Sequence, residues 1–189
     1  MTNFQDYLIK ADSALFIDRD GVINLLREQD YVKQKHEFIL LNETIPALEI
    51  FKKLFKRIFI VTNQQGIGKG LMIDSIHEIH SYFLSLLPES LRPDNIYHCP
   101  HLSSQLCACR KPKPGMALMA KNDFPEINLN SSFMIGDSLS DMEFAKNADI
   151  QGLFISHKPL ENPSVNLPTF SNILEVAQFL NSKSHKNVK

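Results

Sequence analysis

The sequence predicts an α/β fold, a three-layer Rossmann-like parallel sheet with helices on both faces. Two observations carry that prediction. Short apolar runs rich in Ile, Val and Phe recur along the 189 residues, each followed by polar or Gly-rich residues and then by a segment with helical spacing, as in a parallel sheet with crossover helices. Three of these runs also end in a small polar cluster: Asp18-Arg19-Asp20-Gly21, Thr62-Asn63-Gln64 and Gly136-Asp137-Ser138. In open parallel sheets ligands bind beyond the carboxyl ends of the strands, so these distant clusters are expected to share one crevice.

Taken in order, the expected strands are 14–17, 58–61, 95–98, 133–135 and 153–155, short and rich in residues that suit a buried sheet. The first helix is expected at 44–55, where Ile45, Leu48, Phe51 and Phe55 fall on one face and Pro46 is tolerated in the first turn. Helices at 73–87, 116–122, 139–148 and 172–181 follow from the same spacing. The length suits one core of about 100–200 residues. A single domain is expected over 1–182, with a frayed tail at 183–189 that has almost nothing apolar to bury. The longest inserts, 25–38 and 100–114, are the places for substrate-shaping surface, and neither is long enough for a large cap domain.

Composition excludes several classes. Hydrophobic residues at 43% and charged residues at 22% fit a globular protein. A formal net charge of -1 supplies no basic field for nucleic acid or an acidic bilayer. No apolar stretch approaches the roughly 18–20 residues of a membrane span, and residues 1–10 lack the features of a signal peptide. A cytoplasmic monomer acting on a small metabolite is the expectation.

The chemistry is expected around Asp18 and Asp20, which in an extended segment project to one side while Arg19 points the other way. With Asp137 they make a carboxylate set suited to Mg²⁺, a hard cation that takes few protein ligands and leaves positions for phosphate oxygens. Asp141, four residues after Asp137, is expected to cap a helix N-terminus. A second metal is expected in the 100–114 insert. Cys99-Pro100-His101 and Cys107-Ala108-Cys109 together supply three thiolates and an imidazole, a complete tetrahedral set for structural zinc.

At these residues the sequence resembles the haloacid dehalogenase (HAD) superfamily of phosphatases. Residues 16–22 resemble its first motif, Val61-Thr62-Asn63 the second, Arg110-Lys111-Pro112 the third, and 134–138 with Asp141 the fourth. The resemblance implies that Asp18 attacks phosphorus, that Asp20 serves as general acid and then base, that Thr62 holds a phosphoryl oxygen and that Lys111 neutralises transition-state charge. It implies Mg²⁺ held by Asp18, the Asp20 backbone carbonyl and Asp137.

The cysteine loop narrows the resemblance to the subgroup of heptose 1,7-bisphosphate 7-phosphatases and the phosphatase halves of bifunctional histidine-biosynthesis proteins. The stretches 110–116, 30–32 and 62–67 look like the heptose enzymes. The short spacer 102–106 looks like the histidinol-phosphate enzymes, and Ser138 stands where the heptose enzymes usually carry lysine. By the heptose resemblance Arg110 recognises the sugar, with Glu28, Tyr31, Asn63 and Gln64 also at the substrate. A catalytically inactive phospho-ligand-binding domain is the reading from another class; the presence of Asp18, Asp20, Thr62, Lys111 and Asp137 together speaks against it. Two further signals are given bland readings. Gly66, Gly68, Lys69 and Gly70 fit neither nucleotide-loop spacing and are expected as a mobile loop, and His77-Glu78-Ile79-His80 is expected on a solvated helix surface.

Overall fold

A computed structural model of the chain describes residues 7–156 and 168–184. The chain runs through β1 (Ala14–Ile17), α1 (Thr44–Leu54), β2 (Arg57–Asn63), α2 (Gln65–Gly68), α3 (Ile76–Ser85), β3 (Asn95–Cys99), α4 (Gly115–Asp123), β4 (Phe133–Gly136), α5 (Leu139–Asn147), β5 (Gln151–Ile155), β6 (Thr169–Phe170) and α6 (Ile173–Ser184), with short 3₁₀ turns between. The strands form one sheet in the order β3-β2-β1-β4-β5-β6, and every pairing is parallel.

Burial on both faces explains why the strands read as unbroken apolar runs rather than alternating ones. Along β1, Leu15 and Ile17 enter the core beneath α1, α3 and α6, where Ile58, Ile60, Phe51, Phe83 and Val176 meet. Ala14 and Phe16 face the opposite core, with Phe59, Val61, Met116, Ala120, Met134 and Phe144 beneath α4 and α5. Each fully buried Leu, Ile or Phe contributes about 1.5–3 kcal/mol, so the two layers lock the sheet from both sides. From β1 the chain builds outward to β2 and β3, then crosses back to β4 on the other flank. That reversal leaves a crevice at the carboxyl end of β1, between the ends of β2 and β4.

The expected strands and long helices are present, with differences at their ends. β2 extends to Asn63 and β3 to Cys99, so Thr62, Asn63 and Cys99 are strand residues rather than loop residues. α3 begins only at Ile76, because Ser75 caps it: its hydroxyl accepts from Glu78 N and its N–H donates to the Glu78 carboxylate. The Gly-rich stretch expected as a mobile loop opens with the helical turn α2. α6 runs through Ser184, past the expected end of order at 182; residues 185–189 lie outside the described ones. β6, only Thr169–Phe170, was not expected at all. Among the described residues no helix is long and apolar enough to cross a membrane.

Candidate active site

The turn after β1 builds the floor of the crevice. Asp18 N donates to Ile135 O at 2.9 Å, which extends the β1–β4 ladder by one step, and the Arg19 carbonyl accepts from Ile23 N at 2.8 Å and Asn24 N at 3.1 Å. Gly21 sits at φ 84, and a Cβ there would come within 2.0 Å of Asp137 Oδ2. Glycine is therefore required both for the backbone conformation and for the approach of the β4 carboxylate.

Arg19 differs from its expected direction. Its side chain is fully buried and folds back, so that Nη2 donates to both Asp20 oxygens at 2.9 Å while Nη1 lies 3.3 Å from His80 Nε2. Asp20 also accepts from Asn24 Nδ2 at 3.0 Å and from Gln64 Nε2 at 2.8 Å. Burial pushes the Asp20 carboxyl upward, but the Arg19 charge and these donors outweigh it and hold its pKa below the ordinary value.

Asp18 stands in the opposite environment. It is largely buried, and burial first, then repulsion from Asp141 and Asp137, push its pKa up to about 8 against the pull of Lys111. The Lys111 ammonium lies 2.8 Å from Asp18 Oδ1 and 2.6 Å from Asp141 Oδ1, and donates to Val61 O at 2.8 Å. Burial works against the Lys111 charge, but the two carboxylates prevail and hold its pKa above the ordinary value. Asn63 fixes the backbone beneath it, donating to Lys111 O at 3.1 Å and accepting from Lys111 N at 3.0 Å.

Asp141 caps α5 as expected, with Oδ2 accepting from Ser138 N at 3.0 Å and Ser138 Oγ at 2.6 Å. Its ion pair with Lys111 was not foreseen. Gly136 makes the approach possible, since a Cβ there would meet the Asp141 side chain at 2.3 Å. Asp18, Asp137 and Asp141 each place a carboxylate oxygen within 4.8 Å of the others. Three crowded carboxylates with one lysine leave excess negative charge, so the donor set fits a hard divalent cation. The Asp20 carboxylate is absent from this group, being turned to Arg19; only its backbone carbonyl remains for the expected ligand role.

The cysteine loop brings together the four groups the sequence singled out, Cys99, His101, Cys107 and Cys109. Cys99 Sγ lies 3.5 Å from Cys107 Sγ and 3.6 Å from His101 Nδ1, His101 Nδ1 lies 3.2 Å from Cys109 Sγ, and Cys109 Sγ lies 3.6 Å from Cys107 Sγ. These match the edges of a tetrahedron around zinc, about 3.4–3.8 Å for ordinary zinc–sulfur and zinc–nitrogen bonds. Cys109 is two residues before Lys111, and the loop rests on α2, where Gly68 N donates to Pro100 O at 3.0 Å.

The remaining expected site residues separate into two groups. Thr62 is buried at the end of β2, and its Oγ1 accepts from Gln64 Nε2 at 2.8 Å. Gln64 Nε2 thus bridges Asp20 and Thr62 while its Oε1 is buried without a hydrogen-bond partner among the described residues, and Asn63 holds the Lys111 backbone. Arg110 has a buried Nη1 with no hydrogen-bond partner among the described residues. Tyr31 stacks over Gly66 and accepts from Lys69 Nζ at 3.1 Å, whereas Glu28 is exposed.

His80 was missed. Its spacing with Ile76, Ile79 and Phe83 places it on the buried stripe of α3, a signal that the reading of 77–80 as solvated helix surface overlooked. Burial first, then the Arg19 charge and His98, hold its pKa down at about 3.

A doubly wound sheet with an aspartate pair after the first strand, an aspartate after the fourth and a buried lysine between them defines a phosphatase of the HAD class. A HAD-hydrolase-like family model matches residues 108–158. The chain is 37% identical over 172 residues to a D-glycero-alpha-D-manno-heptose-1,7-bisphosphate 7-phosphatase of Campylobacter jejuni, covering 90% of this chain and 96% of that protein. It is 36% identical over 152 residues to the corresponding beta-named enzyme of Escherichia coli K12, covering 76% and 78%. The solved D,D-heptose 1,7-bisphosphate phosphatase of B. bronchiseptica, complexed with magnesium and phosphate, superimposes with a TM-score of 0.81 at 27% identity, covering 90% of this chain and 99% of that one. The chain belongs to the HAD phosphatase family that contains these heptose bisphosphate phosphatases.

His80 generates a pH prediction. Above pH 6.5 the imidazole is neutral in both folded and unfolded chains and contributes no pH dependence. Between about 6.5 and about 3 the unfolded chain takes up a proton that the folded one refuses, so stability falls as pH falls. The limiting slope is about 1.4 kcal/mol per pH unit. Urea denaturation at about pH 6.5 and about pH 5 is expected to show this loss in the native protein and a smaller one in His80→Gln.

Proposed function

We propose that the protein hydrolyses the 7-phosphate of D-glycero-D-manno-heptose 1,7-bisphosphate through an aspartyl-phosphate on Asp18. The observation that carries this reading is the buried Asp18, set against the Lys111 ammonium at 2.8 Å and beside Asp137 and Asp141, at the switch point of the sheet. The names of the relatives supply the sugar.

In the first half-reaction an Asp18 carboxylate oxygen bonds to phosphorus as the phosphorus–oxygen bond to the sugar breaks. For Asp20 to give a proton to the departing oxygen it must be protonated in the substrate complex, against the pull of the Arg19 charge. In the second, water attacks phosphorus, Asp20 takes its proton, and Asp18 leaves as a free carboxylate. Thr62 and Lys111 hold the phosphoryl oxygens while charge moves between nucleophile and leaving group. Mg²⁺, held by Asp18, the Asp20 carbonyl and Asp137, would supply the positive charge that lets one anion approach another. Asp141, already engaged by Ser138 and Lys111, keeps the ammonium in place. The buried Arg110 Nη1, without a hydrogen-bond partner among the described residues, supports a role for Arg110 in binding the sugar, and Tyr31 packs the 25–38 insert against Gly66 of α2. The four-donor set leaves no open ligand position, so zinc bound there would be structural and would hold the loop that carries Arg110 and Lys111.

The test compares kcat/KM for phosphate release from the alpha and beta anomers of the heptose bisphosphate and from L-histidinol phosphate, with Mg²⁺ present and Asp18→Asn as the blank. A heptose anomer is expected to exceed histidinol phosphate by about a thousandfold or more, because buried polar groups left unpaired by the wrong substrate cost that much. Superior hydrolysis of histidinol phosphate would overturn the substrate, and silence toward all three would overturn the reading.

Zinc generates a separate expectation. Cys109→Ser should lose most of the bound zinc by elemental analysis and lower kcat about tenfold or more, since metal-ligand loss loosens the backbone leading to Lys111. Unchanged kcat in a zinc-free variant would contradict the coupling.

A further inference from the structure

We propose that His80 is a positioning residue for the proposed acid–base group, acting through Arg19 to fix the Asp20 carboxylate against the departing oxygen. This inference rests on the acid–base role proposed above for Asp20.

The geometry leaves Arg19 few alternatives. A guanidinium has only donors and is always charged, and this one has no exposed surface. It lies between two partners: Nη2 forks onto both Asp20 oxygens at 2.9 Å, and Nη1 faces His80 Nε2 at 3.3 Å. The third nitrogen, Nε, is buried without a hydrogen-bond partner among the described residues, and the Phe38 ring lies 5.8 Å from Cζ. Since Arg19 offers no acceptor, Nε2 must be the acceptor, which places the imidazole proton on Nδ1 and makes the ring neutral. Its strongly depressed pKa agrees.

His80 is itself fixed from three directions. Ile76, Ile79 and Phe83 seat the same face of α3 in the core. Phe83 packs against Phe38 as a tilted pair with centroids 5.2 Å apart, and the His98 ring meets His80 edge-on at 5.6 Å. A rigid path therefore runs from α3 through His80 and Arg19 to Asp20. Without the Nε2 acceptor, a buried cation would lose one of its two polar anchors and the fork would be free to tilt.

A positioning role and a merely structural one differ in how they respond to the leaving group. An alkoxide leaving from a sugar phosphate needs a proton, whereas p-nitrophenolate is stable as an anion and needs little acid help. The experiment measures kcat and KM for the heptose bisphosphate and for p-nitrophenyl phosphate in the native protein, His80→Leu, His80→Gln, Arg19→Lys and Asp20→Asn. His80→Leu is expected to lower kcat for the sugar phosphate about tenfold or more, with KM nearly unchanged and p-nitrophenyl phosphate affected about threefold or less. His80→Gln, whose amide oxygen can accept from Arg19, should recover most of the loss. Arg19→Lys, which keeps the charge and loses the fork, should discriminate as His80→Leu does, and it carries the test if His80→Leu does not fold.

Equal losses on both esters, or no loss on either, would overturn the inference while Asp20→Asn still discriminates between them. If Asp20→Asn itself fails to discriminate, the acid–base reading of Asp20 falls, and this inference falls with it.

Discussion

The structure depends most on one buried cation. The Lys111 ammonium lies between Asp18 and Asp141 and also donates to the Val61 carbonyl, so a single charge joins the turn after β1, the end of β2 and the first turn of α5. Each partner alone would be costly to bury, and removing one member of such a buried pair typically costs about 3–5 kcal/mol because the other is left uncompensated. The surrounding chemistry follows from satisfying that charge. Gly136 admits Asp141, Ser138 orients it, Asn63 holds the lysine backbone, and the cysteine loop delivers Lys111 to its place.

The two aspartates of the first motif are separated by one residue yet sit in opposed fields. Asp18 is pushed up to about 8, first by burial and then by the neighbouring carboxylates. Asp20 faces a guanidinium and two amides and is held below its ordinary pKa. Taken alone, these fields favour the acid on Asp18 and the base on Asp20, the reverse of the proposed roles; a divalent cation at Asp18 and Asp137 would offset the repulsion between the carboxylates and favour the Asp18 anion. Here the sorting is done by Arg19, whose side chain supplies Asp20 with a partner that Asp18 does not share.

Much of this was legible in the sequence because it is encoded in strong local patterns. The strand runs ending in polar clusters gave the parallel sheet and the crevice, and the paired cysteine spacings gave the four-donor loop. What escaped depends on tertiary contacts that no local pattern carries. Arg19 was expected to point away from the carboxylates; burial of its whole side chain, with His80 and Asp20 as partners, turns it back. Asp141 could be read as a cap from its position after Asp137, but its pairing with Lys111 joins residues thirty positions apart. The hydrogen bonds from Asn63 to Lys111 and from Gln64 to Asp20 and Thr62 likewise join groups that no local pattern pairs. The two-residue β6 is too short for any periodicity to announce.

The most direct test of Asp18 as the phosphate acceptor is rapid acid quenching of single-turnover reactions with a substrate labelled at the transferred phosphate, followed by peptide mapping. The expected result is a transient acyl phosphate on the peptide containing Asp18, absent in Asp18→Asn and slower to form when Lys111 is replaced by Met. Label on another residue, or phosphate release that persists in Asp18→Asn without any protein-bound label, would contradict the central claim.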